Sequence, residues 1–194
     1  MEIKKTAFIS SASDRGSMIV SELPQVAVVG KSNVGKSSFI NFLANDSKLA
    51  RTSKDPGRTR LINYFLFNES FILTDLPGYG FAKVSKQEQQ KWGLLIEKYL
   101  EQETHLKHVI FLVDIRHDPG ENDFIMFDYL FKNNIPFTVV ATKSDKVPKS
   151  KVKNNTARIA SLLKIGAENV LAVSSLEKIG KEQVLKRLEQ VLFA

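Results

Sequence analysis

Residues 30–37 read Gly30-Lys31-Ser32-Asn33-Val34-Gly35-Lys36-Ser37, a G-x-x-x-x-G-K-[ST] string between the apolar run Val26-Ala27-Val28-Val29 and the pair Phe39-Ile40. Glycines at this spacing let successive backbone N–H groups turn inward around phosphate oxygens. Lys36 then meets the β/γ charge, and the Ser37 hydroxyl can ligate Mg²⁺. Ser38 follows in the first helical turn, whose N-terminal dipole adds to the cradle. The plain alternative is a glycine turn with an ordinary surface lysine, and the strand-loop-helix setting argues against it. The residues imply a nucleoside phosphate as ligand.

Two further strings narrow the ligand. The β-branched run Phe137-Thr138-Val139-Val140-Ala141 ends in Thr142-Lys143-Ser144-Asp145, close to N/T-K-x-D. A carboxylate at the base edge accepts from both the ring N–H and the exocyclic amine of guanine, a donor pair adenine lacks, so Asp145 favours GTP over ATP. Upstream, Phe71-Ile72-Leu73-Thr74 runs into Asp75-Leu76-Pro77-Gly78, a D-x-x-G string. Asp75 at a strand end is placed to hold Mg²⁺, and the Gly78 N–H can approach a γ-phosphate unobstructed by a side chain. Alone, each tetrapeptide is an ordinary turn; downstream of a phosphate loop, each gains a role.

Gly57-Arg58-Thr59-Arg60-Leu61 closes a polar stretch, 44–60, in which a Thr can complete a Mg²⁺ shell around bound triphosphate. Thr59 is the first candidate and Thr52 its competitor. The strand-type run Asn169 to Val173 ends in Ser174-Ser175-Leu176, similar to the S-A-K/L tripeptide whose backbone contacts the guanine carbonyl.

These five motifs, in this order along nearly the whole chain, resemble a small GTPase-type G domain. The string Asp75-Leu76-Pro77-Gly78-Tyr79-Gly80-Phe81-Ala82-Lys83-Val84 resembles the switch II signature of the EngB family of bacterial ribosome-assembly GTPases. The resemblance implies a three-layer Ras-like α/β fold and GTP hydrolysis, with Lys36, Thr59 and Asn33 as the candidate residues and Tyr79 in place of the Gln making turnover slow. It implies Mg²⁺ held by Ser37, Thr59 and Asp75, association with the large ribosomal subunit (its RNA and proteins), and a requirement in cell division and septation. Two departures from Ras-type proteins matter. Tyr79 stands where they carry the Gln that orients the attacking water. Asn33 stands where they carry Gly, as in potassium-activated GTPases whose Asn helps hold a K⁺ ion against the phosphates; the competing reading is a turn residue tolerating an unusual backbone angle. A P-loop ATPase or nucleotide kinase, and a nucleotide-gated RNA-binding protein with negligible hydrolysis, are the rival functions.

The elements that must position these residues follow from periodicity and punctuation. Strands are predicted near 24–29, 61–67, 70–75, 108–114, 137–142 and 169–174, with helices near 36–44, 86–102, 120–132, 150–164 and 180–193. Such alternation predicts a mainly parallel six-stranded sheet with helices on both faces and ligands at the strand C-terminal ends. Asn68-Glu69 is too short for a crossover, so 61–67 and 70–75 should pair antiparallel. Residues 1–22 read as an N-terminal extension, with a short strand around Thr6 to Ile9, ahead of a single domain at 23–194. Asp118-Pro119-Gly120-Glu121 reads as an N-cap, a Pro at the first helical position and a capping-box acid.

At 194 residues and 43% hydrophobic content the chain suits one core. It has no cysteine, which excludes disulfides and thiolate metal sites. No apolar stretch approaches the roughly 20 residues of a membrane helix, and nothing reads as a signal peptide, so a cytoplasmic monomer away from membranes is expected. The net charge is +7. Lys146, Lys149, Lys151, Lys153, Arg158 and Lys164 follow one another with no acid between, predicting contact with ribosomal RNA or, more blandly, a solvated helix. His105 and His108, placed ahead of a strand without carboxylate or Cys partners, are not expected to bind metal.

Overall fold

The computed structural model describes residues 1–51, 61–80 and 86–193, with side chains from residue 93 onward in the last segment. The strands are β1 (Thr6–Ala12), β2 (Gln25–Gly30), β3 (Ile62–Phe67), β4 (Phe71–Asp75), β5 (Leu106–Asp114), β6 (Phe137–Thr142) and β7 (Val170–Ala172). The helices are α1 (Lys36–Ala44), α2 (Lys86–Gln102), α3 (Glu121–Lys132), α4 (Lys149–Leu163) and α5 (Lys181–Phe193). One sheet holds all seven strands in the order β1-β3-β4-β2-β5-β6-β7. Only β3 runs against the others, pairing antiparallel with β1 and β4, while the remaining ladders are parallel.

The expected six strands are therefore corrected to seven, and the expected boundary after residue 22 marks no break. The turn Asn68-Glu69 has φ of 51° and 54°, the left-handed pair that matches hairpin twist. Its Asn68 side chain holds the N-terminal segment: Oδ1 accepts from the N–H groups of Lys4 (2.8 Å) and Lys5 (3.2 Å), and Nδ2 donates to Glu2 O (2.7 Å). The Met1 ammonium reaches Glu189 of α5 at 2.7 Å. Residues 1–12 are stitched to the sheet by bonds to distant residues, a signal that local composition does not carry.

Both faces of the sheet are packed, as strand alternation requires. Ala27, Val29, Val109, Phe111, Val113, Val139 and Ala141 meet Tyr99 of α2, Leu130 of α3 and Leu163 of α4. Val26, Val28, Ile110, Leu112 and Val140 meet Phe39, Ile40 and Leu43 of α1 and Leu188 of α5. β2 and β4 are buried at every position; their apolar runs meet that burial, and Thr74 bonds Gln25 at 3.1 Å. The strand order reverses beside β2, so a crevice opens at its C-terminal end between β4 and β5. No described helix is long and apolar enough to cross a membrane.

Candidate nucleotide-binding site

The phosphate loop occupies that crevice, leaving β2 at Gly30 and entering α1 at Lys36. Two of its glycines are required for different reasons. A Cβ on Gly30 would lie 2.8 Å from Leu112 O and 2.9 Å from Val34 Cγ1, so the position is closed by contact. Gly35, the N-cap of α1, has φ of +108°, which side-chain-bearing residues resist, although nothing lies within 4 Å. Asn33 adopts φ of 63°, in keeping with its reading as a turn residue, and its side chain is exposed.

Lys36 and Asp75 are both buried, at 9% and 2% exposure, and face one charge against another. Burial pulls the Lys36 ammonium down from its ordinary value while Asp75 opposes; burial pushes the Asp75 carboxyl up while Lys36 opposes. Asp75 Oδ1 is buried with no hydrogen-bond partner among the described residues. An orphaned carboxylate oxygen at a strand end, with the half-buried Ser37 hydroxyl at the head of α1, forms a hard oxygen donor set that suits Mg²⁺. Pro77 and Gly78 are buried, and a Cβ on Gly78 would fall 2.9 Å from Lys36 Nζ, so switch II begins directly over the lysine expected to meet phosphate. Gly57, Arg58, Thr59 and Arg60, together with the rival Thr52 and residues 81–85, lie outside the described residues. Leu61, expected to open β3, is exposed and precedes it.

The base end is assembled from β5, β6 and the turn after β7. Thr142 donates its hydroxyl to Val34 O at 2.7 Å and so ties β6 to the phosphate loop. Lys143, at φ of 62°, donates to Asn33 O at 2.8 Å and lies 2.9 Å from Asp114 Oδ2. Asp114 also accepts from Arg116 Nε (2.9 Å) and Nη2 (2.7 Å). Partial burial draws its carboxyl upward, yet the Arg116 and Lys143 bonds hold it well below the ordinary carboxylate range.

Asp145 is the expected guanine reader, and its Oδ1 accepts the Ser174 hydroxyl at 2.7 Å, the largest cause of its lowered pKa; Lys146 stands 3.2 Å from Oδ2. Ser174 spends both backbone groups on Ile179, while no hydrogen bond among the described residues uses the Ser175 N–H of the tripeptide whose backbone is expected to meet the guanine carbonyl. Leu176 is exposed at the rim. Ser144 is buried beneath the pocket.

Three expectations need correction. Asp118 does not cap α3: Gly120 is the N-cap, and Asp123 rather than Glu121 returns a carboxylate oxygen to the Gly120 N–H at 2.9 Å. The extended backbone of Gly120 (φ −88°, ψ 177°) supplies the cap geometry, leaving exposed Asp118 free to accept from Arg158. His108 sits inside β5, buried, with Nε2 2.8 Å from Thr138 Oγ1. His105 does have carboxylates nearby, Glu22 at 3.3 Å and Glu103 at 3.6 Å, though the described residues contain no metal-binding cluster. Sequence reasoning also missed Asp114, Asp123 and Asn41. Asn41 exchanges hydrogen bonds with Ala50 (2.7 and 2.9 Å) and so fixes the start of the polar stretch 44–60.

A phosphate loop, an orphaned strand-end carboxylate and an aspartate-lysine base pocket, in line across the ends of a mixed sheet wrapped by helices, define a P-loop GTPase. The family profile described as "50S ribosome-binding GTPase" matches residues 25–143. The chain is 46% identical over 190 residues to the probable GTP-binding protein EngB of Thermoanaerobacter pseudethanolicus, spanning 98% of this chain and 99% of that one. It belongs to the EngB family of GTP-binding proteins and hydrolyses GTP. Its fold is similar to the crystal structure of a probable GTP-binding protein EngB, with a TM-score of 0.72 at 22% identity over 87% of this chain and 98% of that one. It is also similar to NFeoB from S. thermophilus bound to GDP.AlF4⁻ and K⁺, with a TM-score of 0.66 at 22% identity over 87% and 62% of the two chains.

Proposed function

We propose that this GTPase is a cytoplasmic, monomeric switch in assembly of the large ribosomal subunit, engaging the precursor in one nucleotide state and leaving it in the other. The observation that carries this reading is the placement of α4. Its exposed Lys149, Lys151 and Lys153 begin four residues after the guanine-reading Asp145, and its first turn contains no acid. Cations at a helix N-terminus oppose the helix dipole, a cost that polyanion contact offsets. The family description, which names 50S ribosome binding, supports the same partner. Failed subunit assembly is the route by which loss of the protein would disturb division and septation.

In this reading Ser37 and Asp75, joined by Thr59, hold Mg²⁺, which supplies charge neutralisation at the β- and γ-phosphates. Lys36 shares that charge, and intrinsic turnover is slow because Tyr79 replaces the water-orienting Gln. Asn33 serves K⁺, as the likeness to a K⁺-bound G domain suggests; turnover equal in K⁺ and Na⁺ at matched ionic strength would remove that part. The main test is co-sedimentation with large subunits across a salt series. Lys149→Glu/Lys151→Glu/Lys153→Glu should weaken binding and flatten its salt dependence by up to about three ions' worth, with GTP affinity retained. Subunit binding unchanged by the triple variant would return α4 to a solvated helix.

A further inference from the structure

Tyr79 follows the D-x-x-G glycine, and its surroundings are not those of a group aimed at water. Its hydroxyl donates to Asp123 Oδ1 at 2.8 Å, and its carbonyl accepts from the Ser32 N–H at 2.8 Å. One residue thus ties switch II to α3 by its side chain and to the phosphate loop by its backbone. The other Asp123 oxygen accepts the Gly120 N–H, so this carboxylate is fixed in the first turn of α3. Burial, then the nearby Asp123 charge, pushes the Tyr79 phenol well above its ordinary value. After it, Gly80 turns the chain at φ of +76°.

Between these anchors Gly78 is pressed onto the loop. A Cβ there would meet Ser32 Cα at 3.1 Å and Ser32 N at 3.2 Å, besides Lys36 Nζ at 2.9 Å. The lysine tip can swing aside, but the Ser32 backbone cannot. A γ-phosphoryl group bonded both to Lys36 and to the Gly78 N–H must come between Gly78 and the lysine tip that now lies against it. Its entry requires Gly78 to move away from Ser32, and both bonds of Tyr79 oppose that movement. A diphosphate makes no such demand.

We propose that Tyr79 and Asp123 form a clamp that sets nucleotide preference, holding Gly78 on the phosphate loop and so disfavouring the triphosphate relative to the diphosphate. Tyr79 is in this sense a positioning residue. The proposal rests on the reading of Lys36 and Gly78 as the γ-phosphate contacts. It also makes α3 a lever, since whatever shifts its first turn loosens switch II.

The test compares affinities for GDP and for a non-hydrolysable GTP analogue in the intact chain, Tyr79→Phe, Asp123→Ala and the double variant. Tyr79→Phe keeps the ring and removes only the hydroxyl. It should improve analogue binding relative to GDP by about five- to tenfold, the span of one hydrogen bond to a charged group partly expressed, with GDP affinity within about twofold. Asp123→Ala should shift the ratio in the same direction, and the double variant should add nothing to it. An unchanged ratio in a Tyr79→Phe protein that binds GDP normally would overturn the clamp, as would equal weakening of both nucleotides, the mark of a merely structural role. Failure of the unmodified chain to bind either nucleotide would overturn the reading beneath it, and the wild-type titration separates that case from the others.

Discussion

The two ends of the nucleotide site are held by different means. At the phosphate end the backbone does the holding: Gly30 is locked by Leu112 O, Gly78 rests on Ser32, and the Ser32 N–H bonds Tyr79 O. At the base end side chains do it: Asp114 grips Arg116 and Lys143, Lys143 reaches Asn33 O, and Ser174 aims Asp145. A backbone-built site depends on steric fit, so a single added carbon breaks it. A side-chain-built site is a set of separable bonds, and its losses should be graded.

The largest effect is therefore expected from the phosphate loop's first glycine. Gly30→Ala forces a methyl against a carbonyl 2.8 Å away and should lower stability by about 2–4 kcal/mol while abolishing nucleotide binding. Gly35→Ala sharpens the same point, because its methyl would meet nothing and only the positive φ is strained; about 1–2 kcal/mol is expected. Chemical denaturation of both variants checks the ordering. Equal costs would mean that backbone angle, and not contact, sets the constraint at Gly30.

Next comes the base itself. Asp145→Asn exchanges one acceptor for a donor facing the guanine N–H groups and leaves buried polar groups mismatched. GTP affinity should fall by on the order of a hundredfold or more, while xanthosine triphosphate, with a carbonyl in place of the amine, gains. Titration of both nucleotides decides it, and unchanged GTP affinity would take Asp145 out of the pocket.

What was legible in the sequence divides along the same line. The strand-glycine-helix run around Gly30 to Lys36 announces itself because every constraint lies within a few residues of the next. Asp75, ending a wholly buried strand, was visible for the same reason, and α1 and α2 fall at their predicted bounds. Asp114 was not, because although Arg116 lies two residues on, Lys143 comes from the loop after β6, and Lys143 in turn meets Asn33 across 110 positions. Strand β1 was placed but not joined to the sheet, since its ladder is with β3, some fifty to sixty residues away in sequence, and Asn68 holds only the residues just ahead of it. The cap of α3 was misread by two residues, Asp118 for Gly120, because Glu121 and Asp123 both suit the returning acid, and only the folded turn shows which one points back.

Asp114→Ala tests whether the hidden half matters to binding. It removes the carboxylate that holds Lys143 and should weaken GTP and GDP alike, by about tenfold, because Lys143 serves the end of the site that the two nucleotides share. A selective loss of GTP alone would place Lys143's influence at the γ-phosphate and erase the distinction between the two ends.

The smallest effect belongs to Ser174. Its hydroxyl fixes one oxygen of Asp145, but the carboxylate retains its charge and its second oxygen without that bond, and the Ser174 backbone stays paired with Ile179. Ser174→Ala should therefore cost only about threefold in affinity, equally for GTP and GDP, since Ser174 itself is buried but the half-buried Asp145 carboxylate keeps its charge and takes water in place of the lost bond. Ser174→Thr should retain the wild-type value if the hydroxyl alone is needed. A loss comparable to that of Asp145→Asn would show that the carboxylate cannot read guanine unless aimed, and the base end would then be as intolerant as the phosphate loop.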